Sequence, residues 1–489
     1  MDLNAKLVQI TALVGPENVS GEPACLGEFA GDTSLALAIK PSLVVRPRTV
    51  ADLRRIVSWA NETGTPLVPV SSGGPHFHGD TVPSVAETVI VDLRQMKSIL
   101  RIDRRNRIVV IEPGVTYGEL MPALAAEGLR ICCPFLPRAN KSVIASLLER
   151  QPTTIPRLNY SLPEPLRVCG VVWGTGEYSF TGEAGSGPLS LEAQWEAGLA
   201  QVNQQGPLAT DLMRLLSGAQ GTMGIVVWAS IKCELLPAVR KCRVVAAPRL
   251  EDLIDFCYRI ERLRLGEEVL VLNRCQLEAA LGTRANGTPA GGIPPWAVLI
   301  GLAGTAFYPE EKVLVQEHEL QTACREFGLD LGDDLDGVSN AQLEACLTSL
   351  SPERYWKFAR KGSCQDIFFL TTLDKVPLFV QTVESVAARC GYSGSDIGVY
   401  IQAQHQGVSQ HVEFSFPFDP HEPGECEIVR ALYSAASEAL ISAGAYFSRP
   451  YGIWADMAFS RDATASRVLR IVKQIVDPRK VMNPGRLNL

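Results

Sequence analysis

From Pro41 onward, short apolar and β-branched runs alternate with amphipathic stretches. SLVVRP at 42–47 predicts a strand, and TVADLRRIVSWANETG at 49–64 predicts a helix that Thr49 caps and Gly64 stops. PLVPVSSGGPHFHGD reads as a strand running into a glycine-containing loop. ETVIVDLRQM, IVVIEPGVTYGELMPALAAEGL and VCGVVWGTGEYSFTGEAG supply further strands, with a helix after Thr116. This irregular order predicts an α+β domain of mixed strands and argues against the strand–helix series of a Rossmann sheet. Beyond Pro237, predicted helices at 250–264, 309–327, 340–349 and 422–443 are interleaved with PWAVLIGLAG, DIFFLTT and VEFSFPF. That is the pattern of an antiparallel sheet covered by helices. A last helix, SRVLRIVKQIV, leads into the tail DPRKVMNPGRLNL.

Composition narrows the class. At roughly 150 residues per domain, 489 residues mean two or three domains. A hydrophobic content of 46% is enough for a packed core. Lys and Arg number 46 against 53 Asp and Glu, so the net charge of −7 offers nucleic acid nothing to bind. The first twenty residues hold a possible amphipathic helix but lack the basic start and apolar core of a signal peptide. No run approaches the roughly 20 apolar residues of a transmembrane helix, and the expected location is cytoplasmic. The 13 cysteines are scattered apart from Cys132-Cys133, with no spacing for zinc or an iron–sulfur cluster.

Two glycine-rich turns and one arginine carry the candidate chemistry. Ser71-Ser72-Gly73-Gly74, followed by Gly79, comes directly after a predicted strand and exposes backbone N–H groups with little side-chain bulk. A phosphate needs that kind of approach; a turn requiring positive φ fits the loop equally. It is neither a GxGxxG nor a Walker motif. The second turn, Ser217 to Val226, precedes an apolar strand, and together the two could grip one extended ligand. Four of the six histidines fall near two loop rims: His76, His78, His405 and His411. Arg449 sits among Tyr446, Phe447, Tyr451 and Trp454, where it could stabilise an anion through charge-assisted hydrogen bonds or pair with Asp456 at the surface.

From about Pro41 to Leu489 the chain resembles the FAD-binding oxidoreductases of the vanillyl-alcohol oxidase and para-cresol methylhydroxylase type. The matching segments are PLVPVSSGGPHFHGD, IVDLRQMKSIL, EPGVTYGEL, SVIASLLER, VVWGTGEYSFTGEAG, SGAQGTMGIV and DPRKVMNPGRL. The resemblance implies a two-subdomain FAD-binding domain over 1–238, a cap over 239–449 and a segment, 450–489, that returns to the FAD domain. It places the pyrophosphate on the loop of Val70, Ser71, Ser72, Gly73, Gly74, Pro75, His76 and Gly79. Pro113, Gly114 and Val115 would pack near the adenine, and Ser142, Ile144, Ser146, Gly218, Gly221, Gly224, Ile225 and Val226 would hold the rest, with Asn483 closing the site. His411 matches a cap position where some relatives tether the flavin; Pro75 stands where others do.

Arg449 matches the substrate-binding arginine of the family, with Tyr451 or His78 assisting proton removal and Tyr451, Tyr400, Tyr160 and His78 supplying hydrogen bonds. Ser448, His78 and Pro137 stand where phenol-oxidising relatives hold two tyrosines and an acid, so the substrate site is rebuilt. No acidic residue separates His405 from His411, and no metal is expected. The implied activity is hydride transfer from a small, para-hydroxylated aromatic substrate to flavin N5, as a dehydrogenase in preference to an oxidase. A 2-hydroxyacid dehydrogenase and a non-catalytic FAD subunit are the alternatives. Lacking a cluster or haem motif, a dehydrogenase would need an iron–sulfur, cytochrome or electron-transfer flavoprotein partner, with the chain a homo-oligomer or a subunit of a complex.

Overall fold

The computed structural model describes residues 3–34, 37–156, 164–185, 189–199, 201–207, 210–282 and 292–489. Tyr160 lies outside them. Three sheets organise the described chain. The first holds β1 (Val19–Ser20), β2 (Leu43–Val45), β3 (Leu67–Val70) and β4 (Val89–Asp92) in the order β1-β2-β4-β3. β4 pairs in parallel with both β2 and β3. Helix Val50–Thr63 makes the crossover from β2 to β3. Thr49 and Asp52 form its capping box, and Gly64, at φ 66°, ends it in the left-handed region. The helix buries Leu53, Ile56, Val57 and Ala60 against the sheet. A parallel unit therefore sits inside the mixed domain.

The second sheet contains β5 (Ile99–Asp103), β6 (Ile108–Ile111), β7 (Leu129–Ile131), β8 (Leu166–Trp173), β9 (Tyr178–Phe180) and β10 (Gly224–Leu235). Its order is β5-β6-β10-β8-β9, with β7 also on β10. Both candidate turns run straight into or out of strands: the first leaves β3 and the second enters β10.

The third sheet comprises β11 (Val239–Ala247), β12 (Glu268–Asn273), β13 (Trp296–Gly304), β14 (Leu331–Gly332), β15 (Ser363–Thr371), β16 (Gly398–Gln404) and β17 (Ser409–Phe418). Its order is β14-β11-β13-β12-β16-β17-β15, and the pairs are antiparallel. Side chains alternate between its faces. Ile367, Phe369, Ile401, Val412, Phe414 and Phe416 share one apolar cluster with Phe256, Leu320, Phe379 and Leu432 of four covering helices. The opposite face of β15, β16 and β17 presents Asp366, Phe368, Tyr400, Gln402, His411, Glu413 and Ser415.

The C-terminal segment packs against the first sheet. The amide of Leu67 donates to Val481 O at 2.7 Å and that of Asn483 to Leu67 O at 2.8 Å. Lys473, in helix Ala463–Val476, is buried and reaches Thr222 O, Asp477 and Met482 O. Among the described residues no helix is long and apolar enough to cross a membrane.

Candidate functional site

Where β3 ends and β10 begins, the two glycine turns line opposite sides of one cleft. Val70, Ser71, Ser72, His76, Pro113, Ile144, Gly221, Gly224, Ile225 and Val226 line it, together with Tyr451 from the C-terminal segment. Among the described residues the amides of Ser71, Ser72, His76, Gln220 and Gly221 donate to no protein acceptor. Exposed N–H groups from two turns on one cleft suit a diphosphate, because each can donate without rearrangement. Gly221 has φ 71°, and a Cβ there would stand 2.7 Å from Pro69 Cγ. The backbone can approach so closely only without a side chain. These features fit FAD.

Several residues expected to contact the cofactor are not among those lining this cleft. The Gly73 amide donates to Asn140 O, the Gly79 amide to Asp32 Oδ2, the Gly114 amide to Met96 O and the Gly218 amide to Leu148 O. Those donors are already used. Val115 is wholly buried in the core, and Gly74 and Pro75 belong to the turn rather than the cleft wall. Ser142 donates to Pro113 O at 2.6 Å and caps helix Val143–Leu148 through Ala145 N. Ser146 accepts from Tyr117 and donates to Gln151. Asn483 clamps the two turns, its side-chain amide reaching Asp80 O at 2.8 Å and Gln220 O at 2.7 Å.

A second cavity adjoins the first and shares His76, Asp80, Thr81 and Glu149 with it. Its far wall is the polar face of the third sheet. His78, Tyr400, His411 and Arg449 all line it. Arg449 is 6% exposed, and its Cζ lies 3.9 Å from the Phe368 ring centroid. Among the described residues its guanidinium has no carboxylate partner and no hydrogen-bond acceptor, and Asp456 instead meets Asn488. The Tyr400 hydroxyl is likewise buried without a partner. Tyr451 stacks on His78 at 4.4 Å between ring centroids.

Burial, reinforced by Arg449 and Lys141, holds His78 well below its ordinary pKa. Burial also lowers His411 to about 4, although Glu413 opposes the shift. Both imidazoles are therefore neutral near pH 7. His405 is not part of this wall: its Nδ1 meets Ser409 Oγ at 2.7 Å within a short turn.

Three charged residues absent from the sequence reading complete the wall. Lys357 Nζ contacts Asp366 Oδ2 at 2.6 Å and also Glu413, while Ser415 donates to Asp366 Oδ1 at 2.7 Å. Burial alone would raise the Glu413 carboxyl, but Lys357 and His411 outweigh it and hold it low. The alternation of HVEFS already put Glu413 and Ser415 on the His411 face. Lys357 carried no such signal, because it lies in a 3₁₀ turn. Asp80 and Glu149, at the junction of the two cavities, also went unmarked.

The cleft suits a flavin dinucleotide and the adjoining cavity a small molecule. Residues 41–149 match the FAD binding domain family. The chain is similar to D-2-hydroxyglutarate dehydrogenase of Stutzerimonas stutzeri (strain A1501), 23% identical over 99% of this chain and 98% of the relative. It superimposes on p-cresol methylhydroxylase with a TM-score of 0.81 at 18% identity, covering 100% of this chain and 97% of that one. For 4-ethylphenol oxidase from Gulosibacter chungangensis the TM-score is 0.83, also at 18% identity, over 99% and 97% of the two chains. The chain is an FAD-dependent oxidoreductase with the vanillyl-alcohol oxidase and para-cresol methylhydroxylase fold.

Proposed function

We propose that the chain dehydrogenates a small, para-hydroxylated aromatic compound that binds as an anion. The observation that carries this reading is the buried, unpaired Arg449 guanidinium facing a cavity lined by Phe77, Phe135, Tyr355, Trp356, Phe368 and Tyr400. A cation withdrawn from water needs an anionic or strongly polar partner, and a phenolate supplies one while its ring meets the aromatic walls. Arg449 then fixes the oxygen end of the substrate and stabilises its charge. Tyr400 and Tyr451 offer hydroxyl groups, and neutral His78 offers a proton acceptor. Lys357 is neutralised by Asp366 and Glu413, Lys141 is paired with Glu149 and Arg138 donates to Gly73 O and Asn140 Oδ1, so of the cations lining the cavity Arg449 is the one left for substrate. FAD, when bound on the two turns, supplies the hydride acceptor at N5.

Anaerobic mixing of the FAD-loaded chain with 4-alkylphenols, aryl alcohols and 2-hydroxy acids tests the reading. Bleaching of the flavin absorbance by a phenolic compound, lost in Arg449→Met at unchanged FAD content, supports it. Bleaching by 2-hydroxy acids alone overturns it in favour of a second reading, a 2-hydroxyacid dehydrogenase. Arg449 would suit a carboxylate as well as a phenolate, and the full-length similarity to a D-2-hydroxyglutarate dehydrogenase favours that class. For reoxidation, a protein electron acceptor is preferred to oxygen. Rapid return of flavin absorbance in air would refute that preference.

A further inference from the structure

Asp80 stands where the cofactor cleft and the substrate cavity meet, and it lines both. Its backbone is fixed from two sides. The preceding amide, Gly79, donates to Asp32 Oδ2 at 2.7 Å. The Asp80 carbonyl accepts from Asn483, and the same side-chain amide holds Gln220 O of the second turn. The Asp80 carboxyl, by contrast, has no hydrogen-bond or ion-pair partner among the described residues.

The charges around that carboxyl do not satisfy it. Glu149 and Asp32 are carboxylates that repel its ionised form. Lys141 is engaged by Glu149, and Arg486 by Val82 O. Tyr451 interacts with it from the C-terminal segment, and His76 and Arg449 line the same cavity. Burial, with Glu149 adding to it, pushes the carboxyl up to about 7. A fixed backbone carrying a free carboxyl, open to both cavities, is suited to exchanging a proton rather than to holding the fold together.

We propose that Asp80 takes up one proton each time the flavin is reduced and releases it on reoxidation. The inference rests on the cleft being the flavin site, not on which substrate is used. In turnover the substrate C–H bond breaks and its electron pair leaves with the hydrogen as hydride to the flavin. A substrate that enters as a phenol or alcohol loses its O–H proton as the carbon–oxygen double bond forms, and the Asp80 carboxylate receives that proton; for one that enters as a phenolate, which has already lost it, Asp80 takes its proton from solvent. Negative charge gained by the reduced isoalloxazine favours the neutral carboxyl. An external acceptor later removes the two electrons: with one-electron protein carriers the hydrogen received as hydride leaves as a proton and Asp80 returns its own to solvent, and with dioxygen these two protons and the two electrons end as hydrogen peroxide.

The test is the midpoint potential of the FAD-loaded full-length chain, read against reference dyes during anaerobic reduction from about pH 5.5 to 9.5. For a two-electron couple, each proton taken up contributes about 30 mV per pH unit, so one proton gives about 30 and two give about 59. The wild-type chain is expected to show a two-proton segment around and above neutrality. Asp80→Asn and Asp80→Ser are expected to remain on the one-proton line there, whereas Glu149→Gln keeps the steep segment. A steep segment surviving in both Asp80 variants, or missing from wild type, would overturn the proposal. A chain that takes up no FAD, scored beforehand by absorbance, would overturn the cleft assignment itself and this proposal with it.

Discussion

Arg449 lies over the face of Phe368, its Cζ 3.9 Å from the ring centroid, and Phe368 stands directly opposite Glu413 across the β15–β17 pair. The ring thus covers one side of a buried cation that also lines the second cavity. Replacing Arg449 by Lys keeps the charge and loses the planar fork that holds an oxyanion with two hydrogen bonds. The expected outcome is a fall of about 10- to 150-fold in kcat/KM, the loss of one charge-assisted contact, with FAD content unchanged. Steady-state kinetics beside flavin absorbance checks both halves.

Lys357 bridges two largely buried carboxylates. Lys357→Met leaves Asp366 and Glu413 facing each other without a cation, and stability is expected to fall by about 3–5 kcal/mol. The triple variant Lys357→Met, Asp366→Asn, Glu413→Gln removes every charge of the group and should recover most of that loss. Denaturant unfolding of the single and triple variants measures the difference.

His411 binds its proton more weakly folded, at about 4, than at the ordinary histidine value of 6.5. Between these values the unfolded state holds more protons, so stability rises with pH through this window and is lost as pH falls from 6.5 toward 4. The slope from this residue is up to about 1.4 kcal/mol per pH unit. His411→Gln should flatten the dependence between pH 4.5 and 6.5 and change little above pH 7. Urea midpoints at several pH values report it.

Gly221 combines positive φ with a close approach to Pro69, and it carries one of the free amides of the cleft. Gly221→Ala is expected to lower FAD affinity at least tenfold. It should also lower the unfolding temperature, because the added methyl must displace the Pro69 ring. FAD titration by fluorescence and thermal scans of the same preparation separate the two effects.

Local chemistry was legible along the chain. Thr49 and Gly64 bound a helix observed at Val50–Thr63, and helices expected at 250–264, 309–327, 340–349 and 422–443 occur within a residue or two of those limits. Capping residues, positive-φ glycines and apolar period act over a few positions, and so they leave a readable trace. Helices Arg274–Leu281 and Val376–Cys390 left a weaker one, the second because its β-branched run reads equally as strand.

What tertiary structure alone decided is which of those local features face one another. The glycine turns could be named as phosphate-binding candidates from their sequences. Whether Gly73, Gly79 and Gly218 still had free amides depended on Asn140, Asp32 and Leu148, residues brought near by the fold. The pairing of Lys357 with Asp366 and Glu413, the isolation of Arg449 from Asp456, and the position of Asp80 between two cavities arise from contacts distant in sequence. A hydrogen bond or an unpaired charge is a property of two groups and the space between them. The order of residues determined the groups, and only the packed chain determined the space.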